Sequence, residues 1–236
     1  MQLFYCCSIE NSTASFSKEE SGHCIRVLRM RKGDHVSFTD GLGNLYEGTI
    51  ADDDSHCMKV VVLKTRREFG ERSYRFHMAV SPLKNADRFE WFIEKAVEMG
   101  IDEITPLICS RTEKTHIKKE RIENLILSAM KQSVKTYLPV LNEPLPFKDF
   151  LAANNRVTRI IAHCYEEIPR KPISEVIPTG TDLLIMIGPE GDFTTEEVKS
   201  AIESGFISAH LGTSRLRTET AGIVACCSVY TANISS

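Results

Sequence analysis

The sequence predicts an α/β protein in two parts. A small antiparallel β-barrel or sheet over residues 1–70 is followed by a larger domain over residues 71–236, with a mainly parallel sheet covered by helices on both faces. Three observations carry this reading. Residues up to about 70 alternate apolar and polar in the manner of strands and are broken by turn signals. From Tyr74 onward, strand-like runs and helix-period stretches take turns. Between the two lies a charged stretch, residues 64–72, which is the expected linker.

In the first part, Val36, Ser37 and Phe38 lead into Asp40-Gly41-Leu42-Gly43-Asn44, a hairpin-like turn, and residues 45–50 read as the return strand. Asp52-Asp53-Asp54 is a second polar turn, followed by a strand over residues 58–63. In the second part, residues 76–80 form a strand, and Asp87 can cap the next helix with Glu90 at the reciprocal capping-box position. Phe89, Phe92, Ile93, Ala96 and Val97 share one helical face, which Gly100 ends. Residues 104–108 are the next strand, and a second amphipathic helix turns Ile122, Leu125, Ile126, Ala129 and Met130 inward. Residues 157–164 and 183–187 read as buried strands. Thr194 and Glu197 form a capping box for a helix toward Ser204, which Gly205 stops. A short strand over residues 206–211 and a helix over residues 220–234 complete the pattern.

Composition narrows the function. With 42% hydrophobic and 26% charged residues, the chain can bury enough apolar surface to offset ordering entropy, which excludes a disordered or collagen-like protein. Twenty-nine Lys and Arg against 32 Asp and Glu exclude a globally basic nucleic-acid coat but leave room for a local basic patch. No apolar run approaches the roughly 18 residues of a membrane span. Residues 1–9 lack the basic and apolar regions of a signal peptide, so a cytoplasmic protein without a membrane partner is expected. Eight cysteines contain no C-x-x-C pair, and the three His-Cys dipeptides at His23, His56 and His163 are far apart. Reduced thiols and no metal are expected.

Open parallel sheets bind ligands at the carboxyl ends of their strands. Three segments fall there: Ala162-His163-Cys164-Tyr165, residues 188–193 and residues 211–220. Gly188 and Gly191 permit close backbone approach and Pro189 stiffens the turn, although a plain strand-to-helix turn has the same composition. Residues 211–221 pack Arg215, Arg217, Glu219 and several hydroxyls before an apolar helix, more polar groups than a helix start needs. Thr218 or Thr220 can cap that helix, and Arg217 with Glu219 can be a surface ion pair. No dinucleotide fingerprint, Walker A sequence or serine-hydrolase elbow is present. In the first part, His23 precedes the basic residues Arg26, Arg29, Arg31 and Lys32, interleaved with Val27, Leu28 and Met30. This reads either as an amphipathic segment laid across the barrel and contacting phosphate, or as a solvated face.

Five motifs occur in one order across nearly the whole chain: His23…Val27-Leu28-Arg29, Glu94-Lys95-Ala96…Glu98-Met99-Gly100-Ile101, Gln132-Ser133, Ile187-Gly188-Pro189-Glu190-Gly191 and Leu216-Arg217-Thr218-Glu219-Thr220-Ala221. In this combination the sequence resembles the ribosomal RNA small subunit methyltransferase E family of the SPOUT superfamily, the last two motifs being the most specific. The resemblance implies a PUA-like RNA-binding barrel followed by a SPOUT α/β domain with a deep trefoil knot. It implies S-adenosylmethionine as methyl donor, a homodimer, and methylation at N3 of one uridine of 16S rRNA in the small ribosomal subunit, by convention number 1498. It places the cofactor on His163, Cys164, Gly188, Pro189, Glu190, Gly191, Leu211, Gly212, Leu216 and Arg217, and RNA on His23, Arg26, Arg29, Arg31 and Lys32. Three positions depart from the family pattern: Asp192 replaces a usual second glycine, Lys131 stands where Glu is frequent, and the usual Arg after Ser133 appears as Lys135.

The last motif suits methyl transfer to uracil N3, whose proton must leave. Glu219 is the candidate acceptor of that proton, and Arg217 the candidate donor to a flanking carbonyl. Two residues apart in an extended loop, they would project to one side. Two alternatives stay open: a purely structural Arg217–Glu219 pair, and a non-catalytic RNA-binding or ribosome-assembly protein that lost cofactor affinity through Asp192.

Overall fold

A computed structural model describes residues 2–153 and 158–234. Two compact units emerge: Met1–Glu71 together with Leu127–Leu138, and Arg72–Ile126 together with Pro139–Ser236.

In the first unit, β1 (Leu3–Glu10), β2 (Thr13–Phe16), β3 (His35–Thr39), β4 (Leu45–Asp52) and β5 (Lys59–Arg66) close a barrel in the order β1-β2-β5-β4-β3. Neighbours are antiparallel except β1 and β3, which pair in parallel. Strand alternation turns Phe4, Cys6, Phe16, Val36, Phe38, Ile50 and Val60 inward as the barrel core. The β3–β4 hairpin forms around the Asp40–Asn44 turn as its residues predict. The expected linker differs: Lys64, Thr65 and Arg66 still belong to β5, their charged side chains facing solvent from a paired strand. A helix the alternation reading lacked, α1 (Lys18–Gly22), is capped by the Ser17 side chain and runs into a π-helical turn at His23–Val27. Cys24 and Ile25 of that turn join the barrel core.

The segment Leu127–Leu138 completes this unit. Thr136 carbonyl accepts the Thr39 hydroxyl at 3.2 Å and the Gly43 N–H at 2.9 Å. Lys131, one of the departures from the family pattern, forms an ion pair with the buried carboxylate of Glu20, which also accepts the Tyr5 N–H at 3.0 Å.

The second unit contains β6 (Phe76–Val80), α2 (Ala86–Glu98), β7 (Glu103–Ile108), most of α3 (Lys119–Gln132), β8 (Val140–Leu141), β9 (Leu145–Pro146), α4 (Phe147–Ala153), β10 (Thr158–Ala162), β11 (Lys171–Pro172), α5 (Ile173–Val176), β12 (Leu183–Ile187), α6 (Thr195–Glu203), β13 (Ile207–His210) and α7 (Thr218–Ala232). Its sheet runs β11-β13-β10-β12-β6-β7-β8 with β9 also on β7, every pairing parallel. All five residues of β12 are buried, as a central parallel strand requires. Leu184 and Met186 pack with Phe147 and Phe150 of α4 and Val198 and Ala201 of α6. Leu183, Ile185 and Ile187 alternate to the other face, where α7 crosses β12 and α2 packs on α7. Gly222 makes that close: a Cβ there would lie 2.5 Å from the Phe92 ring.

Helix ends correct three expectations. Asn85, not Asp87, caps α2, its side chain accepting the N–H groups of Asp87 and Arg88 at 2.9 and 3.3 Å. Asp87 then sits in the first turn, where its charge favours the helix N-terminus, and Glu90 pairs with Arg121 at 2.7 Å. Helix α7 starts at Thr218, with Arg217 as a cap residue that makes no side-chain capping bond. The Thr194–Glu197 capping box on α6 is present as expected. Residue 157, the expected start of a strand, lies outside the described residues; β10 is described from Thr158.

Candidate functional site

Strands β13, β10 and β12 lie side by side, so the loops leaving their carboxyl ends converge. They enclose a cavity of about 930 Å³, within the size range of small-molecule and cofactor sites. His163 and Cys164 line it from the β10 loop, Gly188, Pro189, Glu190, Gly191 and Asp192 from the β12 loop, and Leu211, Gly212, Leu216 and Arg217 from the β13 loop. Glu219, at the start of α7, and Arg88, from α2, complete the wall. The residues singled out for the cofactor and for chemistry thus share one cavity. Arg88, Glu166, Arg170 and His210 also line it and escaped the sequence reading. Their approach is tertiary, and no local pattern announces it.

His163 is buried and its surroundings fix its proton. The Tyr165 N–H donates to Nδ1 at 3.3 Å. Nε2 lies 2.8 Å from Ser208 Oγ, whose own hydrogen goes to the Pro169 carbonyl at 2.9 Å. The ring must therefore be neutral with its hydrogen on Nε2. Burial, aided by Arg170, pushes its pKa down to about 4, against the opposing pull of Asp192 and Glu167.

Asp192 adopts the left-handed backbone that a glycine would find easy, with φ 61°. Its carboxylate is not free to face a ligand. One oxygen accepts the Cys164 N–H and the other the Phe193 N–H, both at 2.8 Å, so the side chain ties the β10 loop to the β12 loop. Gly188 is needed for packing: a Cβ there would sit 3.0 Å from the Phe193 ring.

The Arg217–Glu219 pair takes a form the extended-loop reading missed. Glu219 lies in the first turn of α7, is buried, and faces Arg88, whose Nε is 3.8 Å from its carboxylate. Arg217 precedes the helix with an exposed side chain and makes no ion pair or side-chain hydrogen bond among the described residues.

In the first unit, Arg26, Arg29 and Arg31 line a shallow depression of about 520 Å³ together with Asp53 and Asp54. Arg26 donates to Ser55 Oγ at 2.7 Å, and Arg31 to the Ile25 and Met30 carbonyls at 3.0 Å. Arg29 holds a left-handed backbone with φ 59°. His23 and Lys32 are exposed but do not line the depression. Val27 and Leu28 are exposed rather than laid on the barrel, which corrects that part of the amphipathic reading; Met30 does pack on the barrel core, beside the buried Cys24 and Ile25. Among the described residues, no group of three or more His, Cys, Asp or Glu is placed to hold a metal ion, and no helix is long and apolar enough to cross a membrane.

Comparison with known proteins places this geometry. A family model described as an RNA methyltransferase domain matches residues 70–230, and one described as an RNA methyltransferase PUA domain matches residues 16–63. A ribosomal RNA small subunit methyltransferase E from Mesomycoplasma hyopneumoniae is 32% identical over 171 residues, covering 70% of this chain and 73% of that protein. The chain belongs to the ribosomal RNA small subunit methyltransferase E family. As in that family, the closed barrel is its PUA-like unit and the parallel sheet its methyltransferase unit. A probable rRNA-methyltransferase from Porphyromonas gingivalis has a similar structure, with TM-score 0.92, 39% identity and 99% of each chain covered. A structure from Legionella pneumophila in complex with the bound cofactor SAM has TM-score 0.82 at 26% identity, covering 99% of this chain and 98% of that one.

Proposed function

We propose that this chain is an S-adenosylmethionine-dependent rRNA methyltransferase that modifies N3 of a uridine in the 16S rRNA of the small ribosomal subunit, the one numbered 1498. It acts in the cytoplasm as a homodimer. The observation that carries the reading is the cavity at the ends of β13, β10 and β12, which gathers both family motifs at the place where parallel sheets bind ligands.

The residues present fit the cofactor. The walls combine apolar Leu211, Leu216 and Ile187 with glycine backbone at Gly188, Gly191 and Gly212, suited to a nucleoside, and with charged groups of both signs, suited to an amino-acid end. A side chain at Gly212, with φ 119°, would be strained. When bound, S-adenosylmethionine supplies an electrophilic methyl group on a sulfonium. A neutral His163 would add no cation to the wall of a site that holds a positively charged group. Uracil N3 lies on the pairing edge, so the base enters single-stranded or flipped. Glu219, held by Arg88 and the α7 N-terminus, accepts the N3 proton, and Arg217 donates to a flanking carbonyl as negative charge develops there. Arg26, Arg29 and Arg31, with His23 and Lys32 beside them, contact RNA phosphate. The half-exposed Trp91 of α2 and Tyr230 of α7 support pairing of these helices with a second copy.

Methylation of unmodified small-subunit particles, mapped by mass spectrometry, tests the reading. Glu219→Gln keeps cofactor affinity, lowers the single-turnover rate by about 10²–10⁴ and regains part of it at high pH. A near-wild-type rate in that variant removes the proton-acceptor role. Wild-type protein that binds RNA but transfers no methyl group supports the assembly alternative.

A further inference from the structure

Arg111 lies in the loop after β7, belongs to none of the motifs above and does not line the cavity. Its Nη1 nevertheless reaches three acceptors: the Gly191 carbonyl at 2.7 Å, the Phe193 carbonyl at 3.2 Å and the Tyr165 hydroxyl at 3.0 Å. Tyr165, from the β10 loop, donates in turn to the Phe193 carbonyl at 2.7 Å. One guanidinium thus joins the loops that follow β7, β10 and β12. Its stem also packs on the cavity loop, since a Cβ at Gly191 would meet Arg111 Cδ at 3.3 Å.

The Arg111 loop is itself anchored. Thr112 Oγ1 accepts the Cys109 N–H at 2.8 Å and pairs with Ser81 Oγ at 2.6 Å. Ser110 donates through both N–H and hydroxyl to one oxygen of Glu197, at 2.8 and 3.0 Å. The other Glu197 oxygen accepts the Thr194 N–H at 2.8 Å, inside the capping box of α6. The cavity loop is therefore held from behind by a charged donor whose own backbone is fixed to the helix that follows the loop.

We propose that Arg111 is a positioning residue for the methyl-donor site. Pinning the Gly191 and Phe193 carbonyls on the outer side of the loop fixes the peptide planes of residues 191–194, and with them the Asp192 bridge to Cys164. The wall formed by residues 188–192 then meets its ligand already ordered, so binding does not bear the ordering cost. The proposal rests on the reading of that cavity as the S-adenosylmethionine site.

Calorimetry with S-adenosylmethionine on wild type, Arg111→Ala, Arg111→Lys and Tyr165→Phe tests it, with melting curves and steady-state kinetics alongside. Charge-assisted hydrogen bonds of this kind correspond to about 10- to 100-fold in affinity. Arg111→Ala should weaken S-adenosylmethionine binding by that factor and raise its KM in parallel, while KM for RNA stays put. Arg111→Lys should recover part of the loss, because an ammonium keeps the charge but not the fork. Tyr165→Phe should lose several-fold, and the double variant less than the product of the singles, since both side chains serve the Phe193 carbonyl. Unchanged S-adenosylmethionine affinity in Arg111→Ala, or a fall in melting temperature with affinity intact, overturns the proposal alone. Wild-type protein that does not bind S-adenosylmethionine overturns the reading of the cavity and the proposal with it. If Arg111→Ala does not fold, Arg111→Lys and Tyr165→Phe decide: wild-type affinity in both overturns the proposal.

Discussion

Acidification should destabilise this protein through His163 in a way that one substitution isolates. A second proton on that ring would have to go on Nδ1, which already receives the Tyr165 N–H, so two N–H groups would point at each other. The folded pKa near 4 lies below the ordinary value of 6.5. The unfolded chain therefore takes up a proton, as pH falls from about 6.5 to about 4, that the folded chain refuses. The contribution is fully present above 6.5 and is lost as pH falls through the folded value. At about 1.4 kcal/mol per pH unit, the loss approaches ~3 kcal/mol. His163→Gln keeps an amide donor for Ser208 and removes the titration. Urea denaturation of both proteins at a series of pH values should show wild-type stability falling more steeply below pH 6.5, the difference between the two curves changing by ~3 kcal/mol by about pH 4. An NMR titration of the imidazole should find its midpoint far below the ordinary value of 6.5. Parallel pH dependences, or a His163 midpoint near 6.5, would refute the reasoning.

Two other outcomes follow from geometry. Gly222→Ala puts a methyl group 2.5 Å from the Phe92 ring where α7 packs on α2, and chemical denaturation should show a loss of about 1–3 kcal/mol, the usual cost of overpacking. Replacing Arg26, Arg29 and Arg31 together with Ala should weaken RNA binding and flatten its salt dependence while calorimetry finds S-adenosylmethionine affinity unchanged; equal salt slopes would leave the patch a solvated face.

The sequence displayed its central strands plainly. Five consecutive apolar residues at Leu183–Ile187 fit a strand between two covered faces, and Phe76–Val80, apolar but for His77, is buried throughout as well. The Thr194–Glu197 box marked α6 because side chain and backbone satisfy each other within one turn. Other features depended on competition or on distance. Asn85 and Asp87 are both good caps two residues apart, and sequence alone does not rank them. Helix α7 is apolar on nearly every side, so no periodicity marks its first turn, and Glu219 passed for a loop residue. The α1 and π-helical segment is too short to show a period. At the site, the glycines after β12 and the polar run before α7 were visible as unusual composition. The partners that give them meaning, Arg88 for Glu219 and Arg111 for the Gly191 carbonyl, come from remote loops and helices and leave no local trace.

The segment Leu127–Leu138 has a consequence for how the chain is made. It brings Lys131 to Glu20 and the Thr136 carbonyl to Thr39 and Gly43, so the barrel's contacts are closed only by residues that leave the ribosome long after its strands. Until then Glu20 lacks the Lys131 ammonium for its carboxylate, and a chain cut after the last barrel strand would keep that deficit permanently. Nascent chains ordinarily complete their first domain before the second begins. Here the first βα units of the second must emerge before the first is finished, which couples the maturation of the RNA-binding end to synthesis of the catalytic one.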